Sequence, residues 1–116
     1  MKDDQYYLIL IHEYIQKIRD YTHDGYDVFP EDEKTQDAVI RKLQILAETT
    51  QRLSEEIKRS DQTIPWQDIA GLRNILVHQY TEVNISRIWL VIESDLPQLC
   101  TFITRNLHNA SDYTSG

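Results

Sequence analysis

VFPEDEKTQDAVIRKLQILAETTQRLSEEI, residues 28–57, decides the fold. Within it Val39, Leu43, Leu46, Thr50, Leu53 and Ile57 recur at steps of 4, 3, 4, 3 and 4. That spacing keeps one face of an α-helix apolar and does not fit the two-residue alternation of a strand. Pro30 precedes the repeat, and Glu31-Asp32-Glu33 supply the negative charge that a helix N-terminus favours. The pattern predicts one long helix that begins after Pro30 and runs to about Arg59, its acidic opening acting as a solvated cap.

The same periodicity extends outward on both sides. Upstream, Tyr7, Ile11, Tyr14, Ile18 and Tyr21 step by 4, 3, 4 and 3. Asp3 or Asp4 caps that helix, and Asp24-Gly25 stops it. Residues 24–30 then form a loop whose Val28 and Phe29 tuck into the end of the bundle. Downstream, Ser60-Asp61-Gln62-Thr63 reads as a loop, and Pro65 opens a third helix anchored by Trp66 and ending near Tyr80. Thr81-Glu82-Val83 reads as a turn, with Asn84 capping a fourth helix. There Ile85, Trp89, Ile92, Leu96, Leu99 and Ile103 repeat at 4, 3, 4, 3 and 4. Pro97 lies inside this repeat, so the helix is expected to kink or divide near Asp95. With no strand candidate and no internal repeat, the chain reads as an all-α, antiparallel four-helix bundle. It forms a single domain over residues 1–108, with a polar tail at 109–116. Trp66, Trp89 and the tyrosine stripe of the first helix read as core.

Composition narrows the function. The chain has 116 residues, 41% of them hydrophobic, with only 3 Gly and 3 Pro, enough for one packed core. No apolar run reaches the length of a membrane span. Met1-Lys2-Asp3-Asp4 leads into an amphipathic helix and does not resemble a secretory signal. A single cysteine, Cys100, excludes an internal disulfide framework and fits a reducing, cytoplasmic setting. The histidines, His12, His23, His78 and His108, lack ligand spacing such as H-x3-H, so no metal site and no cofactor is expected. No glycine-rich phosphate loop is present. The net charge of −7 argues against a broad surface that coats nucleic acid. It leaves room for a local pocket that holds one phosphate.

The chemistry concentrates in Arg73-Asn74-Ile75-Leu76-Val77-His78-Gln79-Tyr80, an R-x4-H-x-Y run. Arginine is a permanently charged planar fork suited to phosphate, histidine moves protons near neutral pH, and tyrosine offers a modifiable hydroxyl. On a helix, Leu72, Leu76 and Gln79 fall on one side with Ile69 and Ile75 flanking, which reads as the core face. Arg73, Asn74, Val77 and His78 spread over the opposite arc, with Tyr80 at the edge near Arg73. Arg73 and His78 lie about 140° apart and about 7.5 Å along the axis, so one regular helix does not converge them easily. Val77, apolar in the middle of that wet face, favours a symmetric dimer with the run at or beside the interface. An Arg and a His on an outer helix face are ordinarily just solvated. The run alone therefore does not decide the function.

The sequence resembles the HEPN superfamily, in particular the HepT-type toxins of prokaryotic toxin–antitoxin pairs. RNILVHQY at 73–80 matches that family's R-x4-H-x-Y motif. IPWQDIAGLRN at 64–74, the stretch at 28–57 and IWLVIESDLPQL at 88–99 resemble its surroundings, so the likeness covers about residues 5–107. It implies a metal-independent endoribonuclease acting as a homodimer, with paired motifs forming one composite cleft. It implies the toxin role in a type VII system, whose antitoxin is an MntA-like nucleotidyltransferase that attaches AMP to the motif tyrosine. By the carry-over, Arg73 and His78 are the catalytic pair, Asn74 is a supporting polar residue, and Tyr80 supports the site and takes the AMP. The family's Gly-Glu-Ala step in the second helix reads Ala47-Glu48-Thr49 here. Glu48 keeps its place as a lesser cleft candidate, set against its reading as an exposed helix carboxylate. The implied chemistry uses the ribose 2′-hydroxyl as nucleophile, so RNA is cut and DNA spared. Arg41, Lys42 and Arg87 stand as conjectured RNA contacts outside the motif. The competing reading is a non-catalytic helical dimer that binds a nucleotidyltransferase partner through Val77 and the acidic surface.

Overall fold

The computed structural model describes residues 3–78 and 85–107, with residues 74–78 described in backbone only. All regular structure among these residues is helical, and the helices pack as the expected bundle. Helix α1 spans Asp4–Tyr21, α2 Glu33–Thr50, α3 Glu55–Arg59, α4 Trp66–His78, α5 Ile85–Leu90 and α6 Leu96–Asn106. A 3₁₀ turn at Phe29–Glu31 precedes α2, and a π-helical turn at Val91–Asp95 joins α5 to α6. Helix α2 is central, packing against both α1 and α4, while α6 closes against α1.

Asp3 caps α1, its carboxylate accepting the Tyr6 N–H at 3.2 Å. The buried side of α1 is aliphatic: Leu8, Ile11, Ile15 and Ile18 are fully enclosed. The tyrosine stripe therefore sits beside the core face rather than on it. Tyr7 and Tyr14 pack partly buried at its edge and Tyr21 is exposed. A phenol hydroxyl needs a polar partner when buried, so the aliphatic neighbours take the dry positions. After Tyr21 the Thr22 hydroxyl donates to the Ile18 carbonyl at 2.8 Å. Gly25 then adopts φ +87°, the left-handed turn that glycine permits without strain. Of the two loop residues expected to tuck in, Phe29 is buried and Val28 is exposed. Phe29 fills the bundle end against the Trp89 ring, 5.1 Å between centroids.

Asp32 caps α2, accepting the Thr35 N–H at 3.1 Å and its hydroxyl at 2.6 Å. These bonds hold the Asp32 carboxyl below its ordinary range. The helix does not run on to Arg59: it stops at Thr50 and restarts at Glu55. The Thr49 hydroxyl bonds back to the Ile45 carbonyl at 2.8 Å and that of Thr50 to the Ala47 carbonyl at 2.7 Å. The next N–H groups, of Gln51, Arg52 and Leu53, tighten to carbonyls three residues back. Such back-bonding hydroxyls bend and end helices. Ser54 then takes an extended conformation and caps α3 through the Ile57 N–H. The Asp4 carboxylate accepts the Ser54 N–H at 2.8 Å and its hydroxyl at 2.6 Å, tying the break to the start of α1. Leu53 stays buried through the break, so the apolar repeat survives where the helix does not.

Trp66 anchors α4 as expected, its indole N–H donating to the carbonyls of Lys58 at 2.9 Å and Asp61 at 3.1 Å. Ile69 and Leu72 are buried, in line with the predicted core face. The expected end of this helix at Tyr80, the turn at 81–83, the Asn84 cap and the tail at 109–116 lie outside the described residues. In the last helix, Leu96 is buried just before Pro97, and Leu99, Phe102 and Ile103 are buried beyond it. In α5 and the π turn the buried positions are Ile88 and Val91, with Ile85, Trp89 and Ile92 only partly covered. The predicted division at Asp95 takes the form of the π turn, in which the Leu96 N–H reaches the Val91 carbonyl. The extra residue in that turn shifts the buried face by one position. It also widens the backbone just where the Pro97 ring would crowd a regular turn.

Candidate active site

Helix α4 carries Arg73 on an exposed turn, and α2 carries Glu48 two residues before its last turn ends. The packing of α2 on α4 brings them together: Arg73 Nε donates to Glu48 Oε1 at 2.8 Å. Both side chains remain about half exposed, at 52% and 53%. The contact is therefore wet, and it fixes the guanidinium more than it stabilises the fold. Nε takes the carboxylate, which leaves the terminal amino groups of the fork available for a second anion. Glu48, the lesser sequence candidate, is thus the residue that the fold places on Arg73.

Ala47 stands where the resembled pattern has glycine, and its methyl is fully buried. Close packing of α2 against its neighbours accommodates it. Thr49, next to Glu48 on the other side, is also buried, and its hydroxyl is satisfied within α2. Glu48 is the exposed member of a step otherwise turned into the core.

Arg73 and Glu48 border an open groove of about 330 Å³, together with Gln51 and Arg52. Sequence reasoning did not single out the last two. Their signal was present, since they follow Glu48 by three and four residues, a spacing that continues one helix side. His78 and Asn74 lie on the same helix as Arg73, His78 five residues further on. Their side chains, and Tyr80 altogether, lie outside the described residues. None of the three conjectured cations, Arg41, Lys42 and Arg87, borders the Arg73 groove. Lys42 instead places its ammonium 5.7 Å from the centre of the Tyr14 ring, a cation–π contact.

On another part of α4, Asp68 faces Asp95 of the π turn. The Asp95 carboxyl is raised above its ordinary range, chiefly by burial and further by the negative charge of Asp68. Among the described residues, no three His, Cys, Asp or Glu side chains gather as a metal site. No helix among them is long and apolar enough to cross a membrane.

A profile of the family described as "Ribonuclease HepT-like" matches residues 11–105. The chain belongs to the HepT-like ribonuclease family. It is 36% identical over 94 residues to "Probable ribonuclease HepT" of Thermococcus cleftensis, an alignment covering 80% of this chain and 86% of that one. It is 36% identical over 97 residues to a "Putative RNase" of Methanocaldococcus jannaschii, covering 83% and 80%. It is also 37% identical over 99 residues to "Gamma-glutamylcyclotransferase and putative RNase" of the same organism. That alignment takes in 84% of this chain but 45% of the relative, so the chain spans about half the length of that protein. No solved structure matches the chain. The HepT-like span begins inside α1 and ends inside α6, so it covers all the helices that build the bundle.

Proposed function

We propose that this HepT-like chain is the toxin of a type VII toxin–antitoxin pair. In this reading it is a metal-independent endoribonuclease, works as a homodimer, and is silenced when an MntA-like nucleotidyltransferase attaches AMP to Tyr80. One observation carries the reading. The matched span, residues 11–105, encloses the whole Arg73–Tyr80 run, and the described member of that run, Arg73, stands half-exposed on a groove with its fork oriented by Glu48.

The ribose 2′-oxygen attacks the adjacent phosphorus, and the bond to the 5′-oxygen of the next nucleotide breaks. His78 takes the 2′-hydroxyl proton, and a second His78, from the other subunit, protonates the departing 5′-oxygen. The terminal amino groups of Arg73 hold the non-bridging oxygens and stabilise charge growing there. Glu48 keeps the guanidinium aimed. The products are a cyclic phosphate and a free 5′-hydroxyl. AMP on Tyr80, seven residues after Arg73, adds a phosphate and bulk beside the cation and blocks the substrate by repulsion and occupancy.

Labelled RNA incubated with the purified protein in EDTA, beside His78→Ala, tests this. Cleavage by the wild type alone, leaving cyclic-phosphate ends, is the expected result. Cleavage that EDTA abolishes would remove metal independence. No cleavage by protein whose mass shows Tyr80 free of AMP would sink the nuclease and favour a non-catalytic helical dimer that binds the nucleotidyltransferase.

A further inference from the structure

Two grooves meet at Gln51. One is the groove of about 330 Å³ at Arg73. The other, about 520 Å³, runs between α3 and α4 and is bordered by Gln51, Arg59, Gln62, Trp66 and Gln67 among others. Trp66, Ala70 and Arg73 border them from α4, at successive steps of four and three. Both therefore open along one side of that helix, over about 10 Å.

The charges along this side are not those of the chain as a whole. Four cations, Arg52, Lys58, Arg59 and Arg73, stand against two carboxylates, Glu48 and Glu55. Both carboxylates are already engaged, Glu48 by Arg73 at 2.8 Å and Glu55 by Lys58 at 3.1 Å. Arg52 and Arg59 are exposed and have no ion-pair partner among the described residues. Two unneutralised guanidiniums on a concave surface, in a chain of net charge −7, form a local anion track. The amides of Gln51, Gln62 and Gln67 add neutral donors and acceptors along it. The Trp66 ring nitrogen is committed to two carbonyls and the ring packs edge-to-face with Phe102, so this residue is a fixed wall.

We propose that this double groove is the track that holds single-stranded RNA beside the scissile phosphate, with Arg52 and Arg59 gripping flanking phosphates. The proposal rests on the ribonuclease reading above. Its length suits about three nucleotides at the stacked spacing of about 3.4 Å per strand. The track ends at Arg73, so a strand lying in it delivers the next phosphate to the catalytic run. An arginine that grips phosphate adds affinity without sequence preference, which makes binding steeply dependent on salt.

The test measures binding of a fluorescent single-stranded RNA, 2′-O-methylated so that it cannot be cut, to the full chain across a salt series. Arg52→Ala and Arg59→Ala are each expected to weaken binding about three- to tenfold and to lower the salt slope by about 0.7. Arg19→Ala removes the same charge from a separate groove bordered by Pro97 and Arg105, and is expected to change neither quantity. Wild-type affinity and slope in the Arg52→Ala/Arg59→Ala double variant would overturn the track. So would an equal loss in Arg19→Ala, which would mean that only bulk charge matters. If the wild type cuts unmodified RNA while the double variant binds like it, the track falls and the nuclease stands. If the wild type neither binds nor cuts RNA, both fall together.

Discussion

At the scale of single residues, the Glu48–Arg73 contact separates two tasks that an arginine can have. A lone exposed arginine samples many rotamers, and holding it ready for phosphate costs side-chain entropy. Glu48 removes that freedom through Nε while adding a negative charge close to where the proposed site would hold a phosphate. These effects oppose each other, and substitution separates them. Glu48→Gln keeps a carbonyl oxygen for the Nε–H and removes the charge, so it is expected to keep kcat within about threefold and to lower KM. Glu48→Ala removes the anchor as well and is expected to lower kcat about tenfold, a modest share of what misplacing a catalytic group can cost. Steady-state cleavage of a short labelled RNA checks both. Equal kcat loss in the two variants would mean that the charge matters and the aim does not. The sequence pointed to Arg73 because its type and spacing carry chemistry. It left Glu48 indistinct because an exposed carboxylate on a helix looks the same whether or not a second helix puts a guanidinium 2.8 Å away.

At the scale of elements, the periodic repeats located α1, α2 and the last helix, Pro65 and Trp66 located α4, and the break that makes α3 a separate helix went unread. Leu53 and Ile57 continue the α2 repeat, so nothing in the spacing announces the stop at Thr50. The stop comes from hydroxyls that bond backward and from an Asp4 carboxylate fifty residues away in sequence. Only the second of these is invisible to local reading. Pro97 did announce a break, but the response, a π turn, brought Asp95 partly under cover and towards Asp68. This has a consequence for stability. The folded state holds the Asp95 proton more tightly than the unfolded chain, whose carboxyl titrates near about 3.9. Stability from this group is therefore greatest below that value, falls as pH rises towards the raised folded value, and stays lowered above it. Asp95→Asn is expected to raise Tm at pH 7 by no more than about 5 °C, since partial exposure screens the effect to about 1 kcal/mol or less. The gain should vanish near pH 3. Asp68→Asn should give a smaller part of the same gain, because burial outranks its charge as the cause. Thermal melts of the three proteins at the two pH values decide it. A gain that persists at pH 3 would place the effect in packing and not in titration.

At the scale of the whole molecule, the geometry of α4 sets the terms of the proposed catalysis. Arg73 and His78 lie five residues apart on one helix, about 140° around its axis and about 7.5 Å along it. Glu48 pulls the guanidinium towards α2, which fixes its direction independently of His78. The proposed reading accordingly pairs a phosphate held by Arg73 with a His78 from a second copy of the chain. Subunit mixing can test this. In a heterodimer of one Arg73→Ala and one His78→Ala subunit, pairing in trans concentrates both losses in one centre. The other centre then joins the intact Arg73 of one subunit to the intact His78 of the other. Co-purified, differently tagged subunits are expected to show activity above that of either variant alone but well short of half the wild type, because the one His78 left in the joined centre has no second His78 to protonate the leaving oxygen. Pairing within each subunit predicts no recovery, because every centre would then lack one member. The same heterodimer keeps Arg52 and Arg59 in both subunits, so a failure to recover cannot be blamed on lost RNA binding along the groove. It would instead require the arginine to swing away from Glu48 to reach its own histidine, and the Glu48→Ala variant would then gain activity rather than lose it.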